Sequence, residues 1–166
     1  MSSQRRKLFT AAAILVVVLG GAAWIQLDSQ NAAAYTLSKQ RYIASVEAAC
    51  RAAGAESWTA APTSPQDEVA ELKHAAHVMS TTVAQVAAVP PPKTDAKRVQ
   101  QEFILPLQTQ ADRLRRLARS ADQAVQAEDE KTALALVEQS LSSTWADDKA
   151  RSFAADYGIA ACAGPE

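Results

Sequence analysis

The two cysteines, Cys50 and Cys162, are the residues of this chain whose chemistry the sequence defines best. An even number of cysteines in an exported domain favours a structural disulfide. The alternative is a redox-active or metal-binding pair, which is disfavoured because the chain has no Cys-x-x-Cys motif and no histidine near either cysteine. We therefore predict a disulfide between Cys50 and Cys162.

His74 and His77 are candidate ligands for a metal ion. Glu71 lies three residues before His74 and gives the Glu-x-x-His spacing found in metal sites inside helical bundles. Such sites also need a second motif of this kind, and a firm zinc site needs three or four ligands. We expect these three side chains to lie on a solvated polar face, and we predict no cofactor.

A basic cluster on one predicted helix consists of four arginines: Arg113, Arg115, Arg116 and Arg119. It is a candidate patch for an anionic partner, such as an envelope polymer or lipid headgroups. The spacing also lets Asp112 pair with Arg116 and Asp122 with Arg119, which would neutralise part of the charge. A surface of salt bridges is therefore the favoured interpretation of the cluster.

Motifs of the common enzyme classes are missing from the sequence. No nucleophile-elbow motif frames a serine, and neither a phosphate-binding loop nor a dinucleotide fingerprint occurs. The net charge is −1, whereas nucleic-acid-binding domains usually have a strongly basic surface. We predict a protein that is not an enzyme and does not bind nucleic acid.

Helical spacing of apolar residues predicts the first element that would hold these groups. The segment from Tyr35 to Ala53 places Ile43, Val46 and Cys50 on one face. Gly54 follows directly, and glycine commonly ends a helix in the left-handed conformation. We predict that this helix stops at Gly54.

A second helix is predicted to begin at Ser64, which can cap it, with Pro65 at the first helical position. Three prolines, Pro90 to Pro92, end it. Its apolar residues follow a heptad spacing that suits packing against other helices: Val69, Leu72, Ala76, Met79, Val83 and Val86.

A third helix is predicted from about Asp95 to Ala124. Pro106 lies inside it and removes the hydrogen bond to the carbonyl of Glu102, so we expect a kink or a break there. The predicted inner stripe of this helix consists of Val99, Phe103, Leu107, Leu114, Leu117 and Ala121.

A fourth helix is predicted to start at Glu128-Asp129-Glu130, where acidic residues favour the positive end of the helix dipole. Its predicted stripe consists of Leu134, Val137, Leu141 and Trp145. Asp147-Asp148 interrupts the pattern, which Ala150, Phe153 and Tyr157 then resume before Gly158 ends it.

Four amphipathic helices with short connections predict an all-α four-helix bundle. In a simple up-down-up-down bundle, Cys50 and Cys162 would lie at opposite poles. A disulfide between them requires either that the segment after Asp147-Asp148 turns back as a fifth helix, or that Pro106 changes the number of helices.

The N-terminal segment Leu8–Leu27 contains no charged residue, and Arg5-Arg6-Lys7 directly precedes it. Twenty helical residues rise about 30 Å, enough to cross the hydrocarbon core of a bilayer. A basic flank holds its end of such a helix in the cytoplasm. The segment therefore predicts a single span of the plasma membrane.

This span divides the chain into a cytoplasmic N-terminus (1–7), a transmembrane signal anchor (8–27), a stem (28–34) and an extracytoplasmic helical domain (35–166). The alternative is a signal peptide cleaved near Ala23, which would release the domain as a secreted protein. Both interpretations export the domain.

Three stretches carry a resemblance to a family: Tyr42-Ile43 leading to Cys50, the break Val89-Pro90-Pro91-Pro92, and the ending Ala154-Ala155-Asp156-Tyr157-Gly158-Ile159-Ala160-Ala161-Cys162. They resemble small exported or membrane-anchored α-helical proteins of actinobacteria. In these, a cysteine on the first outer helix pairs with one in a closing Tyr-Gly-Leu-x-x-Cys-like tail. This chain has Ile159 in place of the leucine, and it lacks the lipobox cysteine of the lipidated members. The resemblance implies the disulfide and the helical fold, and it implies no activity.

The sequence favours a membrane-tethered module that binds or scaffolds a protein or an envelope component. The first alternative is a carrier of a small apolar or lipid ligand, with a pocket between helices that Pro106 separates. A weaker alternative is a metal-binding protein that uses His74 and His77.

Overall fold

The computed structural model describes residues 31–55, 62–141 and 148–163, and every regular element in these ranges is helical. The prediction of an all-α fold is therefore confirmed for this part of the chain. The predicted anchor, Leu8–Leu27, lies outside the described residues. Within them, no helix has both the length and the apolar character that crossing a membrane requires.

The chain divides into two compact units, Met1–Gln40 and Arg41–Glu166. In the first unit, residues 31–40 are helical. The described helices of the second unit are α1 (41–55), α2 (Pro65–Ala88), α3 (Ala96–Val99), a π-helical turn (Gln100–Ile104), α4 (Leu105–Gln126), α5 (Glu130–Leu141), α6 (Asp148–Tyr157) and α7 (Ala160–Ala163).

Helix α2 begins as the sequence predicts. The Ser64 hydroxyl oxygen accepts a hydrogen bond from the backbone N–H of Asp67 at 3.2 Å, and the same hydroxyl donates to the Asp67 carboxylate at 2.8 Å. Bonds from Ser64 and then from Thr63 hold the pKa of Asp67 below its usual value. All six predicted apolar positions of α2 are buried, and Val78 is buried as well.

Helix α1 does not stop where the sequence predicts. Residues 51–55 are all helical, and Gly54 is not in the left-handed region. The alanines on either side, Ala53 and Ala55, have the highest helix propensity of any residue, so one glycine between them is accommodated. The predicted stop at Gly54 is therefore wrong.

Pro106 changes the type of helix without breaking it. The π-helical turn directly precedes α4, and the backbone N–H of Leu105 donates to the carbonyl of Gln100, five residues back. A proline ring needs extra room beside the preceding turn, and the wider π turn supplies it. The sequence predicted a kink or a break at Pro106, and the structure has instead a π turn directly before α4, with Pro106 buried.

Glu128 joins α4 to α5 in an unusual backbone conformation for a residue with a side chain. Its φ is 58°, and the N–H of Asp129 donates to the carbonyl of Ala124 at 2.9 Å across the end of α4. Glycine is the residue that normally occupies this position after a helix. Asp129 then accepts a bond from the N–H of Thr132 at 3.1 Å and so caps α5.

We expect the Glu128→Gly variant to be about 0.5–1 kcal/mol more stable than the wild type, because glycine removes the strain of a left-handed side chain. Urea denaturation of the two proteins measures the difference. The matched control is Glu128→Ala, which keeps a Cβ and therefore the strain. Equal stability of the Gly and Ala variants would contradict this explanation.

One hydrophobic core, which we call the disulfide-end core, joins α1, the end of α2, the π turn, α6 and the segment up to α7. Its largest fully buried side chains are Tyr42, Phe103 and Ile159. Burial raises the pKa of Tyr42 to about 12. The other buried members are Val46, Val86, Val99, Ile104, Ala150, Phe153, Ala154 and Tyr157.

A second core, which we call the three-helix core, joins α2, α4 and α5. Its members are Val69, Leu72, Ala76, Leu117, Ala118, Ala121, Ala124, Ala133 and Val137. Met79, Val83 and Ala111 form a small cluster of their own on α2 and α4. The predicted stripe of the third helix is buried or half-buried at every position.

The buried face of α5 is rotated relative to the apolar stripe that the sequence predicted. Ala133 and Val137 are buried, whereas Leu134 is 37% and Leu141 is 79% exposed. The facing side of α4 consists largely of alanines, including Ala121, and small side chains let two helices approach closely through Ala133. The prediction that Leu134 and Leu141 face inward is wrong, and Trp145 lies outside the described residues.

Helix α6 packs differently from α5, although both came from one predicted segment. Helix α5 contacts α2 and α4, while α6 contacts mainly the π turn and α7 and touches α4 only slightly. Helix α6 therefore behaves as a packing element separate from α5. The disulfide itself, Cys50–Cys162, is present as predicted, and Gly158 ends α6 with a φ of 90°.

Candidate functional site

A cavity of about 800 Å³ lies within the second unit. Leu72 and Val137 reach it from the three-helix core, and Val86 reaches it from the disulfide-end core. Met79 and Val83 line it between them. The cavity thus occupies the space between two cores that are each well packed.

Helix α2 forms the long wall of this cavity. Its lining residues run from Glu68 to Val86, a distance of about 27 Å along a helix axis. Leu107 and Leu114 of α4 also line the cavity. Leu141 lines it too and is 79% exposed, so the cavity reaches the protein surface at the end of α5.

Two hydroxyl groups in the wall are satisfied by their own helices. The Thr82 hydroxyl donates to the carbonyl of Val78 at 2.8 Å, and the Ser140 hydroxyl donates to the carbonyl of Val137 at 2.6 Å. These bonds leave the wall around Thr82 and Ser140 largely apolar in character. The cavity is therefore suited to an apolar molecule.

Arg151 of α6 is the basic residue among the lining residues of the cavity. The side chain is half-buried, and its Nε is buried with no hydrogen-bond partner in the described part of the chain. A buried donor without a partner costs about 1–3 kcal/mol. The carboxylates in the wall, Glu68 and Glu71, belong to the first two turns of α2.

The disulfide is part of the cavity wall. Both Cys50 and Cys162 line the cavity, together with Ala53 and Gly54 of α1. A Cβ built on Gly54 meets no heavy atom within 4 Å. The disulfide therefore fixes α7 against α1 at the edge of the cavity, and Gly54 leaves room beside it.

The predicted metal ligands all lie on one helix, α2. Glu71 is half-buried and lines the cavity, while His74 and His77 are exposed on α2. Among the described residues, no group of three or more histidine, cysteine or acidic side chains could hold a metal ion.

All four arginines of the predicted basic patch are exposed on α4: Arg113, Arg115, Arg116 and Arg119. Their neighbouring carboxylates have other partners than the spacing suggested. Asp112 accepts from Arg115, and Asp122 pairs with Lys73 of α2 at 2.8 Å. Asp122 thereby links α4 to α2.

Sequence reasoning offered a pocket between helices only as an alternative, without its lining residues, and it missed Arg151. The available signal for Arg151 was its place beside Ala150, within the spacing Ala150, Phe153 and Tyr157 that marks an inner stripe. A second missed feature is the hydrogen bond that the Tyr157 hydroxyl donates to the Asp95 carboxylate. It joins α6 to the turn before α3.

Comparison with known proteins gives no match for this chain. No protein-family model matches it, no curated protein matches it, and no solved structure matches it. The resemblance to small exported actinobacterial proteins therefore stays a prediction. The geometry of the cavity is the basis on which a function is proposed.

Proposed function

We propose that the domain binds and carries a small apolar ligand in the cavity between its two cores. The observation that carries this proposal is the cavity itself, with a volume of about 800 Å³ and a wall built mainly from apolar side chains. Known ligand pockets have volumes of about 300–1,000 Å³ and are lined in the same way.

The proposed activity is binding and release without a chemical change in the ligand. The sequence favoured a module that binds a protein or envelope component through its surface, and that hypothesis stays a prediction. The cavity supports the carrier instead, because a scaffold that acts through its outer surface has no need of an interior space.

We further propose that the carrier works at the outer face of the plasma membrane. The Cys50–Cys162 disulfide supports this placement, because disulfides persist in oxidising compartments. The apolar segment Leu8–Leu27 and its basic flank support it as an anchor. Detection of the intact N-terminus in membrane fractions would separate an anchor from a signal peptide cleaved near Ala23.

We expect the full-length chain to be labelled inside the cavity by hexadecanol that carries a photoreactive diazirine in its alkyl chain. Ultraviolet cross-linking followed by peptide mapping should place the label on lining residues such as Met79, Val83 and Leu114. Labelling should saturate with probe concentration, because a single cavity has a limited capacity.

The matched variants for this experiment are Gly54→Trp and Gly54→Ala. Tryptophan at this position has room to enter the cavity and should reduce saturable labelling several-fold, because it occupies space that the probe needs. Alanine adds one methyl group and should leave labelling unchanged. A label that is spread over exposed helix faces, and that neither variant alters, would overturn the proposal.

A further inference from the structure

The basic and the acidic groups in the cavity wall belong to different helices. Arg151 follows Ala150, which is 1% exposed in the disulfide-end core. Glu68 and Glu71 stand beside Val69 and Leu72, which belong to the three-helix core. The basic group therefore belongs to a helix of the disulfide-end core, and the acidic groups belong to turns of α2 in the three-helix core.

The length of the cavity wall can be measured along α2. Leu72 of the three-helix core and Val86 of the disulfide-end core both line the cavity. Their spacing along the sequence corresponds to about 21 Å of helix. A single acyl chain fills half of a bilayer's hydrocarbon core, which is about 15 Å. An acyl chain of this length, with its head group, therefore fits along the wall between Leu72 and Val86.

We propose that the ligand is a single-chain amphiphile with an anionic head of the fatty-acid type, held by Arg151. This inference rests on the proposed function, since it names the class of ligand that the cavity carries. The head carboxylate accepts hydrogen bonds from the guanidinium of Arg151, which is half-buried and is the basic residue in the cavity wall. The alkyl chain runs along α2 toward Leu72.

The carboxylates of Glu68 and Glu71 set the orientation of this ligand. A negatively charged head near them would be repelled, whereas the same head at Arg151 is attracted. A neutral alcohol of equal chain length experiences neither the repulsion nor the attraction. Stronger binding of the acid than of the alcohol would therefore show that Arg151 holds the head group. An apolar pocket without this contact would give no such preference.

The experiment is competition against the diazirine-hexadecanol label on the full-length chain. Palmitate should compete about 10–100-fold more effectively than unlabelled hexadecanol, which is the range expected for hydrogen bonds to a charged group. Methyl palmitate, which lacks the charge, should compete like hexadecanol. This comparison uses only the wild-type chain, so it does not depend on whether a variant folds.

Three variants assign the selectivity to its residue. Arg151→Gln should remove the advantage of palmitate while hexadecanol still binds, and Arg151→Lys should keep part of it. Arg41→Gln removes an exposed arginine of α1 that lies outside the cavity wall, and it should change nothing. Palmitate and hexadecanol competing equally in the wild type, or a palmitate advantage that survives in Arg151→Gln, would overturn the inference. If the neutral probe did not label the cavity of the wild type saturably, that result would instead overturn the proposed function.

Discussion

Replacing both Cys50 and Cys162 with alanine is expected to lower the free energy of unfolding by about 4–5 kcal/mol. The bond closes a loop of 112 residues, and opening it restores the chain entropy of that loop in the unfolded state. The loss is a large fraction of the 5–15 kcal/mol that stabilises a typical domain. The variant should therefore unfold at a much lower urea concentration than the wild type.

The measurement is urea denaturation of the full-length chain with and without a thiol reductant. The reductant should lower the stability of the wild type by nearly the same amount as the double substitution. It should have no effect on the variant, which has no cysteine left to reduce. A difference below about 1 kcal/mol between oxidised wild type and variant would show that the closed loop contributes little.

This disulfide also shows how far a sequence determines an arrangement of helices. The pairing of Cys50 with Cys162, and its consequence that a simple up-down-up-down bundle of four helices is insufficient, followed from the sequence. Which of two arrangements occurs did not follow. The choice depends on contacts between α6 and the π turn, two elements that lie far apart in the sequence.

Local signals in the sequence were the most dependable. The start of α2 at Ser64, its buried stripe and the irregularity at Pro106 each depend on residues within a few positions of one another. The stop predicted at Gly54 failed because the neighbouring alanines outweighed a single glycine. Local rules thus held for the start and the buried stripe of α2 and failed at Gly54, whose neighbours favour a helix.

The cavity and the rotation of α5 could not be predicted from periodicity. Leu134 and Leu141 have the spacing of an inner stripe, but α4 offers alanines there and draws Ala133 inward. The cavity is the space between two cores, so its volume depends on how several helices are placed at once. For the same reason, Arg151 becomes a candidate head-group residue only when the wall around it is known.

Phe103→Ala is expected to lower the free energy of unfolding by about 3–5 kcal/mol, the usual cost of removing a buried aromatic ring. Phe103 is fully buried, and its ring lies 5.4 Å from that of Phe153 at an angle of 25°. Phe153 in turn stacks on Tyr157 at 5.0 Å, and Tyr157 meets Tyr42 edge-on at 6.0 Å. The π turn places Phe103 at one end of this row of rings, which joins it to α6 and α1.

Urea denaturation and the near-ultraviolet circular dichroism of the aromatic rings measure this effect together. Phe103→Leu keeps most of the volume and should cost less than the alanine variant. The matched surface control is Leu105→Ala, two residues along, where the side chain is 47% exposed and the expected loss is below about 1 kcal/mol. If Phe103→Ala were no more damaging than Leu105→Ala, the row of rings would not be what holds α6 to the π turn. A large loss of stability in Phe103→Ala and a small one in Leu105→Ala would show that the buried face of the π turn, with the Phe103 ring, holds α6.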